Sequence, residues 1–200
     1  MSAISGNLIH RLTLYHCILN YTVNEQEFVS SNEIAAFLKI DDSQVRKDIA
    51  ACGIQGLPKH GYKVFDLKKS IEKKLSFNEQ TDIFVIGAGH LATALTQYAD
   101  FKAYGINILA LFDNDESKIG QMINGKRVFD INRLENLIER MKIDTVILAL
   151  PPQNAQEMTN RLVKSGIKFI WNFTPCIIKV PDNVIVYYEN IVSGFLQLKL

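Results

Sequence analysis

Apolar positions recur at helical spacing in the first third of the chain and gather into short continuous runs in the remainder. Leu8, Leu12, Tyr15 and Leu19 share one helical face, predicting a helix over residues 8–20. Ser30 and Glu33 have the spacing of a capping box and open a second helix whose apolar face is Ile34, Ala35 and Leu38. After the turn Lys39-Ile40-Asp41, a third helix starts near Asp42-Ser43. It buries Val45 and Ile49 at i, i+4 and turns Gln44, Arg46 and Lys47 outward. Two short helices joined by a brief turn form a helix-turn-helix pattern, whose second helix can enter a DNA major groove. Gly53, Gly56, Pro58 and Gly61 then break the helical pattern. Tyr62-Lys63-Val64-Phe65 has strand character, which predicts a β-hairpin wing over residues 57–65, and Asp66 is placed to cap a basic helix over 67–75.

Beyond a polar stretch at residues 76–81 the pattern changes. Strand-like runs at 83–86, 106–112, 145–150 and 168–171 alternate with helical stretches at 90–99, 131–141 and 153–165. This alternation predicts an α/β domain, a doubly wound parallel sheet with helices on both faces. A further strand at 184–188 and a largely apolar tail helix at 190–200 close the chain. The expected organisation is a winged helix-turn-helix domain at 1–78, a Rossmann domain at 79–188 and a C-terminal helix at 189–200.

Whole-chain charge separates few function classes, because the net value over 200 residues is only +1. Its distribution says more. Residues 43–74 carry eight Lys/Arg against three acids, a local +5, which is either a solvated face or the footprint of a phosphate-backbone binder. Cys17, Cys52 and Cys176 are widely spaced, with neither a C-x-x-C pair nor a paired histidine set. No disulfide framework or metal site is expected, and a reducing compartment fits. The chain shows no secretory signal pattern and no run of the roughly 18 apolar residues a membrane span needs, so a cytoplasmic location is expected.

Candidate chemistry concentrates on Gly87-Ala88-Gly89-His90-Leu91-Ala92, which follows the apolar run Ile83-Phe84-Val85-Ile86 and opens a helix. A strand, a tight glycine turn and a helix N-terminus aim backbone N–H groups at an anion such as a pyrophosphate. Asp113, twenty-one residues after Ala92, ends the next strand. An acid there accepts hydrogen bonds from the adenosine ribose and repels a 2′-phosphate, favouring NADH or NAD⁺ over NADP(H). The bland alternative is a Rossmann-like domain that is empty or takes another nucleotide. A coenzyme A role fits Asp113 less well. Lys118 is a further candidate cofactor-binding residue. Ala149-Leu150-Pro151-Pro152 and Asn172-Phe173-Thr174-Pro175 follow later strands, where their prolines either end the strands or contact a nicotinamide. No His/Asp or Lys/Tyr constellation is pinned to these loops, so no catalytic residue is assigned.

Taken in order, Arg11-Leu12, Gln44-Val45-Arg46-Lys47-Asp48, Gly61-Tyr62, Gly87-Ala88-Gly89, Phe112-Asp113-Asn114-Asp115, Pro151 and Asn172-Phe173-Thr174-Pro175 resemble the Rex family of bacterial redox-sensing transcriptional repressors over nearly the whole chain. The resemblance implies a homodimer with tail helices exchanged between subunits, released by NADH from palindromic double-stranded operator DNA while NAD⁺ competes. It implies that Ser43, Gln44, Arg46 and Lys47 face the major groove and that Lys59, His60, Gly61 and Tyr62 form the wing. Gly87, Ala88, Gly89, His90 and Leu91 would hold the pyrophosphate, Asp113 the ribose, and Ala149, Leu150, Pro151, Asn172, Phe173, Thr174 and Pro175 the nicotinamide end. Arg11 and Tyr98 match residues that the family couples to an acid near the start of the tail helix. Here that position is Asn190, flanked by Glu189, and a neutral amide cannot form a charge-assisted pair with Arg11. Ala92 replaces a third glycine, and Ala50-Ala51-Cys52 stands where the family has aromatic residues. Two alternatives follow: a regulator with weakened redox discrimination, or a small NAD-dependent oxidoreductase whose N-terminal part only dimerises.

Overall fold

The computed structural model describes residues 4–199, which fall into two compact units divided between Glu79 and Gln80. In the first, α1 (Gly6–Thr22) is followed by β1 (Phe28–Val29), α2 (Ser31–Leu38), α3 (Asp42–Ala50), β2 (Tyr62–Lys63) and α4 (Val64–Lys74). The capping box opening α2 is formed in both directions: Ser30 N–H donates to Glu33 Oε2 (2.7 Å) and Glu33 N–H to Ser30 Oγ (3.1 Å). Asp41 caps α3 by accepting the Ser43 N–H at 2.7 Å. Leu12, Tyr15 and Leu19 pack on Ile34, Val45, Ile49, Leu67 and Ile71, all fully buried.

The wing is shorter than its predicted span. Tyr62–Lys63 pairs antiparallel with Phe28–Val29, and only Leu57 and Gly61 bridge across the turn before it. Helix α4 begins at Val64, so Val64 and Phe65 are helical and Asp66 lies within the first turn without capping it. Burial explains the change. Val64 N–H donates to the Glu27 carbonyl (3.0 Å) while its side chain enters the core, which turns the chain into a helix despite β-branched and aromatic residues.

The second unit runs β3 (Thr81–Ile86), α5 (His90–Thr96), β4 (Ile106–Asp113), β5 (Met122–Ile123), β6 (Lys126–Asp130), α6 (Leu134–Met141), β7 (Thr145–Leu148), α7 (Pro152–Lys164), β8 (Phe169–Asn172), β9 (Ile185–Tyr188) and α8 (Ile191–Gln197). Its sheet order is β5-β6-β4-β3-β7-β8-β9, parallel throughout except for the β5–β6 pair. Apart from β5 this is the doubly wound order, with its topological switch between β3 and β7. Both faces are buried: Phe84 and Ile86 pack with Phe112, Val146 and Leu148 on one side, and Ile83 and Val85 with Leu111 and Ile147 on the other.

Several elements differ from the pattern reading. The helix at 90–99 stops at Thr96 and gives way to a 3-10 turn (Ala99–Tyr104), closed by Gly105 at φ 75°. The strand expected at 145–150 ends at Leu148. The β5–β6 hairpin was not expected at all; it turns on Asn124 (φ 50°) and Gly125 (φ 77°), the paired positive values of a type I′ turn. The tail helix covers Ile191–Gln197, and Leu200 of the predicted tail lies outside the described residues. Among the described residues no helix is long and apolar enough to cross a membrane.

Candidate functional site

The carboxyl ends of β4, β3, β7 and β8 stand side by side, and each carries one of the sequence-predicted nucleotide segments. Asp113 closes β4, Gly87-Ala88-Gly89 follows β3, residues 149–151 follow β7, and residues 172–175 close β8. The sheet order therefore sets them in a line at the edge where open α/β sheets bind ligands.

Glycine is required at one position of the loop and leaves room at another. Gly87 has φ 104°, and a Cβ there would lie 2.3 Å from the Ala149 carbonyl oxygen. Its N–H donates to the Phe112 carbonyl at 2.7 Å, so the loop is tied to β4 and packed on β7. Gly89 precedes α5 at an ordinary φ of −82°, and a Cβ there would meet nothing within 4 Å. Open space over that α-carbon fits the close approach of a phosphate. His90 and Leu91 are exposed beside it, while Ala92 is buried, where a methyl group is accommodated.

Asp113 is buried and firmly held. Its Oδ2 accepts from Ala88 N–H (2.7 Å) and Lys118 Nζ (3.2 Å), and its Oδ1 from Asp115 N–H (3.0 Å). Burial alone pushes its pKa up, but the Asp115 and Ala88 N–H groups and Lys118 outweigh it and hold the group below its ordinary value. The carboxylate that would receive a ribose thus also fixes the glycine loop. Lys118 reaches Asp115 as well, at 3.4 Å, so it acts on the site through these acids. Beyond Asp113, a cleft of about 190 Å³ is lined by Phe112, Asn114, Ile131, Leu150 and Met158.

At the other end, Asn172 is fully buried with its amide engaged. Its Oδ1 accepts from Thr174 N–H (2.9 Å) and Thr174 Oγ1 (2.6 Å), and its Nδ2 donates to the Cys176 carbonyl (3.0 Å). Asn172 and Thr174 therefore shape the loop, leaving Phe173 half-buried on Trp171 and Pro175 exposed.

On the first unit, Ser43, Arg46 and Lys47 are exposed on α3, and Arg46 pairs with Asp42 one turn earlier. Gln44 is half-buried and donates to Asp48. Lys59 (φ 65°) and Gly61 (φ 83°) form the turn, and a Cβ on Gly61 would sit 2.4 Å from the Val29 carbonyl oxygen. His60 is exposed with its ring 5.7 Å from that of Phe28. Tyr62 differs from a surface residue: its ring joins the core, because strand alternation turns it inward opposite Val29.

The three residues proposed to couple redox state have local partners. Arg11 forms a two-pronged bond with Asp48 of α3, Nε to Oδ2 at 2.6 Å and Nη2 to Oδ1 at 2.9 Å. Tyr98 is exposed beside Phe101, and Asn190 caps α8 by accepting the Ser193 N–H at 3.1 Å. Neighbouring Glu189 accepts from Trp171 Nε1 at 3.1 Å. Sequence reasoning gives Asp48 a place in the Gln44–Asp48 motif but no role, although its i, i+4 spacing from Gln44 is visible.

Residues 78–176 match the family described as "CoA binding domain", and residues 3–50 match the family described as "Putative DNA-binding protein N-terminus". The redox-sensing transcriptional repressor Rex of Treponema denticola is 44% identical over 191 residues, covering 95% of this chain and 91% of that protein. The crystal structure of RSP in complex with β-NAD⁺ and operator DNA aligns with 100% of this chain and 92% of that one, at a TM-score of 0.89 and 34% identity. RSP in complex with β-NADH aligns with 100% and 94%, at a TM-score of 0.88 and 34% identity. With a helix-turn-helix unit, a doubly wound unit and these relatives along its length, the chain belongs to the Rex family of redox-sensing transcriptional repressors.

Proposed function

We propose that this protein is a homodimeric, cytoplasmic repressor that binds palindromic operator DNA through α3 and the 59–61 turn and leaves it when NADH occupies the line of loops on the second unit. The observation that carries this reading is the alignment of Gly87–Gly89, Asp113, Ala149 and Phe173 along one sheet edge in a chain that also carries a helix-turn-helix. Gly89 would admit the pyrophosphate, Asp113 would accept the ribose hydroxyls, and the 149–151 and 173–175 loops would flank the nicotinamide. The bound dinucleotide supplies a ring whose charge and shape differ between its oxidised and reduced forms. The ionised Asp113 favours such a ligand over one with a phosphate on that ribose, which also argues against coenzyme A. The relatives that match along the chain are transcriptional repressors, which supports reading the nucleotide as a signal.

A ligand that binds two arrangements equally shifts neither. NADH must therefore prefer the arrangement in which the two recognition helices are not set one helical turn apart. A gel shift on a palindromic operator, titrated with NADH and with NAD⁺, tests this: release by NADH is expected at concentrations where NAD⁺ leaves the complex intact. Binding indifferent to both nucleotides overturns the sensor. Turnover of NADH with a small carbonyl compound would instead support the oxidoreductase reading.

A second reading, a repressor with blunted redox discrimination, is favoured by one observation. The side chain at 190 is a neutral helix cap, and Glu189 is engaged by Trp171.

A further inference from the structure

Among the described residues of the first unit, Asp48 is the most heavily bonded carboxylate. Four donors converge on it: Arg11 Nε (2.6 Å), Arg11 Nη2 (2.9 Å), Tyr15 Oη (2.8 Å) and Gln44 Nε2 (2.7 Å). Its side chain is 4% exposed, and the four donors match the roughly four acceptor sites of an ionised carboxylate. Burial pushes its pKa up, but the bonds from Arg11, Tyr15 and Gln44 outweigh that and keep it below its ordinary value. At neutral pH it only accepts hydrogen bonds. Chemistry therefore dictates which end of the Gln44 amide faces it: the NH₂ must, and the carbonyl oxygen cannot.

One Gln44 N–H is thereby consumed. The amide retains one acceptor, Oε1, and one N–H donor. Gln44 is the third residue of α3, and recognition helices place their N-terminal residues against base edges. In the major groove adenine presents an acceptor (N7) beside a donor (N6–H₂), guanine presents acceptors only, cytosine a donor, and thymine an acceptor beside a methyl group. Only adenine satisfies both remaining groups.

We propose that Gln44 reads an adenine in each operator half-site, with Asp48, itself fixed by Arg11 and Tyr15, as the positioning residue that holds the amide in register. This rests on the DNA-binding reading and names the base that one residue of it recognises.

The probe is a palindromic duplex selected from a randomised library with the wild-type protein. Each half-site adenine is replaced in turn by 7-deazaadenine, which removes the N7 acceptor. Affinity for the wild-type protein is expected to fall about tenfold at one symmetric position, within the range of a bidentate base contact. Gln44→Ala should bind less tightly overall and lose that discrimination, and Gln44→Glu, an acceptor only, should shift the preferred base there to cytosine. Asp48→Asn, judged only where its melting curve shows a folded protein, should reduce the discrimination to less than about threefold. Specific wild-type binding with the 7-deazaadenine effect intact at every position in Gln44→Ala overturns this assignment alone. A wild-type protein with no sequence preference overturns the DNA-binding reading with it.

Discussion

Gly87 faces the carbonyl of Ala149 so closely that a Cβ on the glycine would stand 2.3 Å from that oxygen. The contact sits at the topological switch, where Ala149 N–H also donates to the Ile86 carbonyl at 2.9 Å and fastens β7 to β3. The same glycine loop holds a residue with the opposite constraint, and the pair can be separated by mutation. Gly87→Ala combines a positive φ with a backbone clash and should cost about 2 kcal/mol or more, lowering the melting temperature of the unligated protein. Gly89→Ala has room and an ordinary φ, so the unligated protein should melt as the wild type does while NADH affinity falls. Thermal unfolding together with NADH titration checks both. Unchanged NADH affinity in Gly89→Ala would remove that α-carbon from the phosphate path.

In the proposed site, Asp113 and Lys118 would set the choice of nucleotide. The carboxylate would repel a 2′-phosphate, and the ammonium 3.2 Å away is held by it. Asp113→Ser removes the repulsion and frees Lys118 to meet the phosphate. NADH should bind more weakly, and the NADPH/NADH affinity ratio should rise about tenfold, since a charge-assisted hydrogen bond contributes roughly 1.5–3 kcal/mol. Calorimetric titration with both nucleotides measures the ratio. A ratio left at the wild-type value places the ribose elsewhere.

Asp48 predicts the response of the first unit to acid. Its folded-state pKa is depressed, so the folded state binds fewer protons than the unfolded one in that range. The stability it contributes is present above its ordinary value of 3.8 and is lost as pH falls through the lower folded value. The protection of α1 and α3 amides from hydrogen exchange, relative to their intrinsic rates at each pH, should therefore fall at pH values below 3.8 in the wild type. Asp48→Asn should cost about 2 kcal/mol at neutral pH, near the cost of leaving a buried group unpaired, and should lose this part of the acid dependence. Acid dependence unchanged in Asp48→Asn would assign the effect to other carboxylates.

What the chain showed before folding depended on how locally each feature is determined. Ile83-Phe84-Val85-Ile86 reads as a buried strand because four apolar residues end at a glycine, and the Ser30/Glu33 box needs only three-residue spacing. The β5–β6 hairpin escaped because Lys126-Arg127-Val128-Phe129-Asp130 is short and charged, with Val128 alone fully buried; the Asn124-Gly125 pair was the signal that could have found it. Val64 and Phe65 have strand propensity, which the core contact of Val64 overrides. Asp48 looked like one acid among basic neighbours, because its meaning depends on Arg11 and Tyr15, over thirty positions away. Asn172 reads from the sequence as a candidate site position and not as a loop brace, because its bonds to Thr174 and Cys176 exist only once the turn forms.

Asn190 tests whether nucleotide occupancy is read as redox state. The side chain caps α8, and aspartate caps a helix as well as asparagine does. Asn190→Asp should leave the tail helix in place while adding a charge able to pair with a guanidinium. Operator affinities measured with saturating NADH and with NAD⁺ should then differ by a larger factor than in the wild type. An unchanged factor would count against coupling through this position.

The tail helix itself predicts the assembly. Ile191 is 71% and Leu198 83% exposed in the single chain, with Val192, Phe195 and Leu196 also exposed. On the proposed function this apolar segment is covered by a second copy of the chain, the occupant that binding to a palindromic operator would require. Truncation after Glu189 should halve the mass measured by light scattering, and Leu198→Asp should weaken the dimer without removing the helix. Because two half-sites then bind independently, affinity for the palindrome should drop toward that for an isolated half-site while NADH binding to the second unit persists. A truncated chain that keeps the full-length mass would place the dimer contact outside residues 190–200.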